Sequence, residues 1–322
     1  MAVRTCRLRR GLGLLAAAIL LGVGGAAAPE PGAPKRATAT TASGFSRAFY
    51  FGRPRSARFR VTARGFRVDR QSYDNIVESD GRGDEVFVRA DVFEFNWRPE
   101  VIATSSIRTD VLGERGPLHG GSRPASPLDA DGRPGGFVTG DSYPHPFSPW
   151  QARPPSVHPN DLPMRLWEGE LFQGTNAVVI VPTLWEWDGP DLSPEQLSWD
   201  RSLPPAIRRV APAIERIIVD RPATTLFDNM FTVPVFNRGT RPIGSSGNFA
   251  LPTDIDSFVL TYDSAVELAR GRGSEVIVRD AGGGLASRVE LTLPEGVFWI
   301  RLVDPPGLDG AYTLYLFIER LP

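Results

Sequence analysis

Cysteine, lysine and histidine are nearly missing from this chain, with one, one and three copies in 322 residues. Cys6 precedes an apolar run, so it cannot be a lipoprotein anchor cysteine, which would follow such a run. A chain cleaved after that run has no disulfide and no thiol chemistry. Its stability must then come from a packed core or from bound metal. Lys35 is the only lysine, and Arg, Ala, Gly and Pro are abundant, the pattern of codon usage in a high-GC bacterial genome. Arginine content therefore carries no functional weight. His119, His145 and His158 all fall in a Pro-rich stretch, and none follows a strand as a positioned base usually does. They would bind zinc only if that stretch folded back on itself, and solvated loop histidines are the simpler reading. "IGSSGN" (243–248) lacks the glycine spacing of a nucleophile elbow, so no Ser, His and Asp order can be assembled.

What is present begins with an N-terminal address. Arg4, Arg7, Arg9 and Arg10 precede an apolar run from Leu12 to Val23, and small residues lead to Pro29. This is the pattern of a secretory signal peptide over residues 1–28, so the protein is expected to be exported, to the periplasm, the medium or the cell surface. An uncleaved anchor is the competing reading, but the run falls short of the roughly 20 residues that span a bilayer comfortably. Removing residues 1–28 takes four Arg and no acid, moving the formal charge from −1 to −5. A mildly acidic exported chain is a poor candidate for nucleic acid and a fair one for cations.

Residues 29–54 are small and polar and read as a linker. From Ala57 the pattern changes: "ARFRVTARGFRV" sets Phe59, Val61 and Ala63 against Arg58, Arg60, Thr62 and Arg64, the period of a half-buried strand. Similar alternation recurs in "EVFVRADVFEF", "NAVVIVPTLWEW", "SEVIVRD", "SRVELTLPEGVFWIRLVD" and "GAYTLYLFIERL", separated by Gly, Pro and Asp turns. The expected fold is an all-β antiparallel sandwich over 55–262, completed or extended by a C-terminal β unit at 263–322. Two insertions interrupt it. Residues 113–163 form a Pro- and Gly-rich excursion, and 193–220 read as helical, starting at a capping box in "SPEQ". Ile207, Val210, Ile214, Ile217 and Ile218 share one helical face, and Pro212 is expected to kink or split the element. A further short helix is expected at "DSAVELAR", capped by Asp263.

Two constellations could carry chemistry. Glu168, Glu170 and Glu186 stand near Trp167, Trp185 and Trp187, the pairing of acids and ring platforms found in glycan-active sites. Alternation, however, puts Trp185 and Trp187 on one strand face, where core packing is the default. The second constellation is acidic. "ESDGRGDEVFV" places Glu78, Asp80 and Asp84 at i, i+2 and i+6 with Gly81 and Gly83 between them, ahead of a strand. "LWEWDGPD" ends a strand in Glu186, Asp188 and Asp191. Oxygen-rich loops with glycine suit Ca²⁺, which takes 6 to 8 oxygen ligands. One loop precedes a strand and the other follows one, so both can converge at one end of a sandwich.

On those residues the chain resembles the C2 domain, a calcium- and phospholipid-binding β-sandwich. The first cation loop of that family corresponds to Glu78 through Phe87, and the third to Glu186, Trp187 and Asp188, with "RPIG" at 241–244 as its later Ile-Gly pair. The resemblance implies Glu78, Asp84, Glu186 and Asp188 as direct calcium ligands and Asp191 as a fifth. Glu stands where the family has the first Asp of each loop, and the family's Pro-Tyr pair is missing. The expected function is a non-enzymatic exported module binding Ca²⁺ for structural stabilisation, or for attachment to anionic lipid or a cell-surface component. Apart from Arg82 between Gly81 and Gly83, no basic or greasy tip flanks either acidic group, which favours the structural role. The alternatives are a metal-free binding or surface-associated module recognising glycan, and a glycan-active enzyme using Glu168, Glu170 and Glu186.

Overall fold

The computed structural model describes residues 55–72, 83–113, 136–145, 148–151, 160–187, 193–220, 226–233, 240–244, 253–280, 286–304 and 309–322. The signal peptide, the linker, Glu78, Asp80, Asp188, Asp191, His119 and His158 lie outside these residues. The strands are β1 (Ser56–Arg70), β2 (Val86–Asn96), β3 (Val101–Arg108), β4 (Ser142–Tyr143), β5 (Met164–Phe172) and β6 (Asn176–Glu186), followed by helix α1 (Ser193–Asp220). Then come β7 (Leu226–Val233), β8 (Arg241–Pro242), β9 (Thr253–Leu260), helix α2 (Tyr262–Arg270), β10 (Arg272–Asp280), β11 (Ala286–Glu295), β12 (Val297–Val303) and β13 (Ala311–Arg320).

The fold is all-β in class, and every strand pairing described is antiparallel. The first sheet runs β12-β13-β1, with β4 and β5 both on the far edge of β1. The second runs β3-β2-β6-β9-β7, with β8 pairing the end of β6. Period-2 alternation builds the core between them. Phe59, Val61 and Ala63 of β1 and Leu314, Leu316 and Ile318 of β13 meet Val86, Val88, Ala90 and Val92 of β2 and Val178, Ile180 and Leu184 of β6. A bulge between Ala63 and Gly65 shifts the inward set of β1 to Phe66 and Val68.

The other face of the second sheet is also buried. Phe87, Phe93 and Phe95 of β2 and Val179, Val181 and Trp185 of β6 pack under Trp199, Leu203, Ile207, Ile214, Ile217 and Ile218 of α1. These helix positions recur at steps of three, four and seven, so one apolar stripe roofs the sheet. Each such side chain, fully buried, contributes about 1.5–3 kcal/mol. The helix runs unbroken through Pro204, Pro205 and Pro212, so Pro212 does not split it. Pro205 and Pro212 are exposed, as are Arg201 and Arg208 four residues before them, so the carbonyls deprived of a donor lie on the solvent side.

Helix α2 begins one residue earlier than "DSAVELAR". Thr261, not Asp263, is its cap: the Ser264 N–H donates to Thr261 Oγ1 at 3.4 Å, and the Thr261 N–H donates to Ser264 Oγ at 2.9 Å. Asp263 lies in the first turn and accepts from Gln173 Nε2 at 2.7 Å. The β10–β11 hairpin is tied to the outer face of the first sheet by Glu275, which accepts from Arg67 at 2.5 Å and from the Tyr315 hydroxyl at 2.7 Å.

Candidate functional site

Two buried guanidinium–carboxylate clusters stand out, both rooted on the second sheet. The first is at the acidic end. Asp84 shares the parity of Val86, Val88 and Ala90, and Glu186 that of Leu184, so both carboxylates fall on the core side of adjacent strands, where Val86 pairs with Glu186. They meet over one residue. The Ser72 N–H donates to Asp84 Oδ2 at 2.8 Å, and the Ser72 hydroxyl donates to Glu186 Oε1. Asp84 Oδ2 also accepts from the hydroxyl of Tyr312, which reaches across from the first sheet.

Arg241, opposite Glu186 on β8, supplies the countercharge: its Nη1 donates to Glu186 Oε2 and its Nη2 to Asp304 Oδ2 at 2.7 Å. Asp304 follows β12 and accepts two backbone amides, from Gly244 at 2.7 Å and Gly310 at 3.1 Å. Asp84, Glu186, Asp304 and Arg241 are each less than 5 % exposed. Burial pushes the Arg241 guanidinium down from its usual range, against the pull of Asp304 and Asp84. Burial also raises the Asp304 carboxyl, against Arg241 and the two amides. Tyr312 is driven well above the usual 10.0 by burial and by Asp84.

Three carboxylates thus face one guanidinium at the point where the segments 73–82 and 188–192 leave the described structure. Of the residues the C2 resemblance assigns to calcium, Asp84 and Glu186 are brought together, but by Ser72, Tyr312 and Arg241. Both oxygens of Glu186 are engaged by protein donors. Gly83 also has a local role. A Cβ there would lie 2.4 Å from the Phe137 carbonyl oxygen, so glycine lets this strand approach Gly136 and Phe137, with which Asp84 exchanges both backbone hydrogen bonds.

The second cluster lies on the opposite face of the same sheet. Arg89 makes a two-pronged bond to Asp91, with Nε to Oδ2 at 3.0 Å and Nη2 to Oδ1 at 2.8 Å. Trp199 Nε1 of α1 donates to Asp91 Oδ2 at 2.7 Å, and Arg89 Nη2 also reaches Asp200. Burial alone would push the Arg89 guanidinium down, but Asp91 and Asp200 more than offset it and hold it above its ordinary value. The side chains of Arg89 and Asp91 are each 7 % exposed, and that of Asp200 is 52 % exposed.

This pair floors a cleft of about 470 Å³ between β3 and the N-terminal half of α1. Register places Thr104, Ser106 and Arg108 of β3 beside Phe93, Asp91 and Arg89. All eight residues of β3 are exposed. Arg108 lies over the Phe87 ring at 5.8 Å. Nη1 of Arg89 and Oδ2 of Asp200 have no hydrogen-bond partner among the described residues.

The glycan-active trio is not assembled. Glu168 binds Arg58 and Arg60 across β1 and β5 on the first sheet, with Glu170 beside it opposite Arg58, whereas Glu186 faces the core from the second sheet. Trp167, Trp185 and Trp187 are buried, and Trp185 stacks on Phe87 with ring centres 5.5 Å apart. No group of three or more His, Cys, Asp or Glu among the described residues has the arrangement of a metal site.

Arg241, Asp304, Tyr312 and Ser72 carry no local sequence signal, because long-range pairing alone brings them to the acidic end. Arg89 is signalled locally: an opposite-charge pair at i, i+2 within the apolar run "VFVRADVF" marks a buried pair on a covered strand face, whereas Asp200 carries no such signal. Comparison with known proteins finds no matching family model, no matching curated protein and no matching solved structure.

Proposed function

We propose that the protein is an exported, non-enzymatic binding module whose ligand surface is the cleft between β3 and α1. One observation carries the reading: a deeply buried guanidinium, fixed in place by two carboxylates, lines a ligand-sized cleft with Nη1 still unpartnered among the described residues. Ligand pockets commonly run from about 300 to 1,000 Å³ with a few convergent polar groups. Burying Arg89 and Asp91 carries a desolvation cost that a solvated surface pair would avoid. A rigid, oriented donor beside an open cleft is what that cost provides.

The test is co-sedimentation of the purified protein with bacterial cell envelope. The expected result is that the parent pellets with envelope and Ser106→Trp, which fills the cleft from exposed β3, stays in solution. Equal pelleting of both would overturn the reading.

The three-to-one excess of buried carboxylate over guanidinium at the acidic end favours a second reading. There, Ca²⁺ held by Glu78, Asp80, Asp84, Glu186, Asp188 and Asp191, in the C2 manner, would order that end or bridge it to anionic lipid. The calcium dependence of thermal stability separates the two.

A further inference from the structure

Resting on the cleft as the ligand surface, we infer that its ligand is an uncharged, hydroxyl-rich molecule, namely a short neutral saccharide. Charge is the first argument. Arg89 and Arg108 are matched by Asp91 and Asp200, so the cleft has no net formal charge. An anion would meet the half-exposed Asp200 carboxylate, and a cation would meet two guanidinium groups.

Donor and acceptor balance is the second. Arg89 Nη1 can only donate and the Asp200 carboxylate accepts, while Thr104 and Ser106 on the neighbouring strand do both. Adjacent sugar hydroxyls also do both, so neighbouring hydroxyls can engage the guanidinium and the carboxylate together. A purely accepting ligand would set its lone pairs against the Asp200 carboxylate, and a purely donating one would leave Arg89 Nη1 without an acceptor. The apolar lining, Phe93 and Ile107 on the strand side and Leu203 and Pro204 on the helix side, offers a surface for the C–H face of a sugar ring.

The experiment titrates the ¹⁵N-labelled protein with neutral trisaccharides (cellotriose, xylotriose, chitotriose and maltotriose) and, as anionic probes, with trigalacturonate and inorganic phosphate. The expected result is a saturable shift of the Thr104–Arg108 and Asp200 amides with a neutral trisaccharide. Affinity should fall about ten-fold or more in Asp200→Asn, which keeps the side-chain shape and loses the charged acceptor. Ser106→Trp should abolish the shift, with an unchanged circular dichroism spectrum showing that the fold is intact. Saturable binding of an anionic probe alone, strengthened by Asp200→Asn, overturns the saccharide assignment. So does the lack of any saturable shift from the neutral trisaccharides. In either case the envelope experiment decides separately whether the cleft binds anything.

Discussion

Arg241 and Arg89 are both buried guanidinium groups on the second sheet, and they keep different company. Arg241 is fully enclosed between the two sheets, where Glu186, Asp304 and the Asp84–Tyr312 pair join β2, β6, β8, β12 and β13 at one end of the core. Arg89 is nearly as buried, but among the described residues its fork is filled on one side only, and the roof above it is the edge of a helix instead of a second sheet. Arg241 keeps Glu186 and Asp304 satisfied through its two Nη atoms, while its Nε is buried with no hydrogen-bond partner among the described residues, out of reach of any ligand. Arg89, held by two carboxylates and with Nη1 unpartnered among the described residues, is the group on which the proposed ligand surface rests. Stability at the acidic end and the binding proposed for the cleft can each be broken separately.

The largest effect is expected at Arg241. Arg241→Met leaves Glu186 and Asp304 buried without their countercharge, and urea denaturation should show a loss of about 3–5 kcal/mol. Tyr312→Phe comes next: it removes the hydroxyl that donates to Asp84 across the core, an expected loss of about 1–3 kcal/mol in the same assay. Tyr312 also sets an alkaline limit. Its folded-state pKa lies above the unfolded value, so the folded state retains the proton while the unfolded state releases it. Stability is therefore lost as pH rises through about 10. Tyr315, also raised by burial, adds to the slope. Denaturation midpoints measured from neutral to alkaline pH should fall less steeply in Tyr312→Phe than in the parent. The smallest stability effect is expected at the cleft, where half-exposed Asp200→Asn should stay within about 0.5 kcal/mol of the parent while weakening the ligand. An Asp200→Asn loss as large as that of Arg241→Met would erase the distinction between the two clusters.

Much of the fold can be read from residue order. Strand alternation marks Phe59, Val61 and Ala63 as core, and the isoleucine stripe from Ile207 to Ile218 marks the buried face of α1. The sites are harder to read because their chemistry depends on what covers a face. Asp91 reads as a polar-face residue of β2, since alternation distinguishes the two faces of a strand but not solvent from a helix laid over one of them. In "RPIG" the Ile-Gly pair draws the attention of a calcium-loop reading, yet the residue that acts on Glu186 is the preceding Arg241. Fifty-five positions separate them, and only the β6–β8 pairing brings them together. The convergence of Asp84 and Glu186 is legible, because one lies just before a strand and the other ends its antiparallel neighbour. That a serine, a tyrosine and an arginine would fill the space between them is not.

The most direct test of this division is the melting temperature of the parent protein in millimolar calcium against the same buffer with a chelator. If Arg241 and the hydroxyls of Ser72 and Tyr312 satisfy the acidic end from within, the two melting curves superimpose. A rise of several degrees in calcium, lost in Asp84→Asn, would contradict the account and move the function to the acidic end.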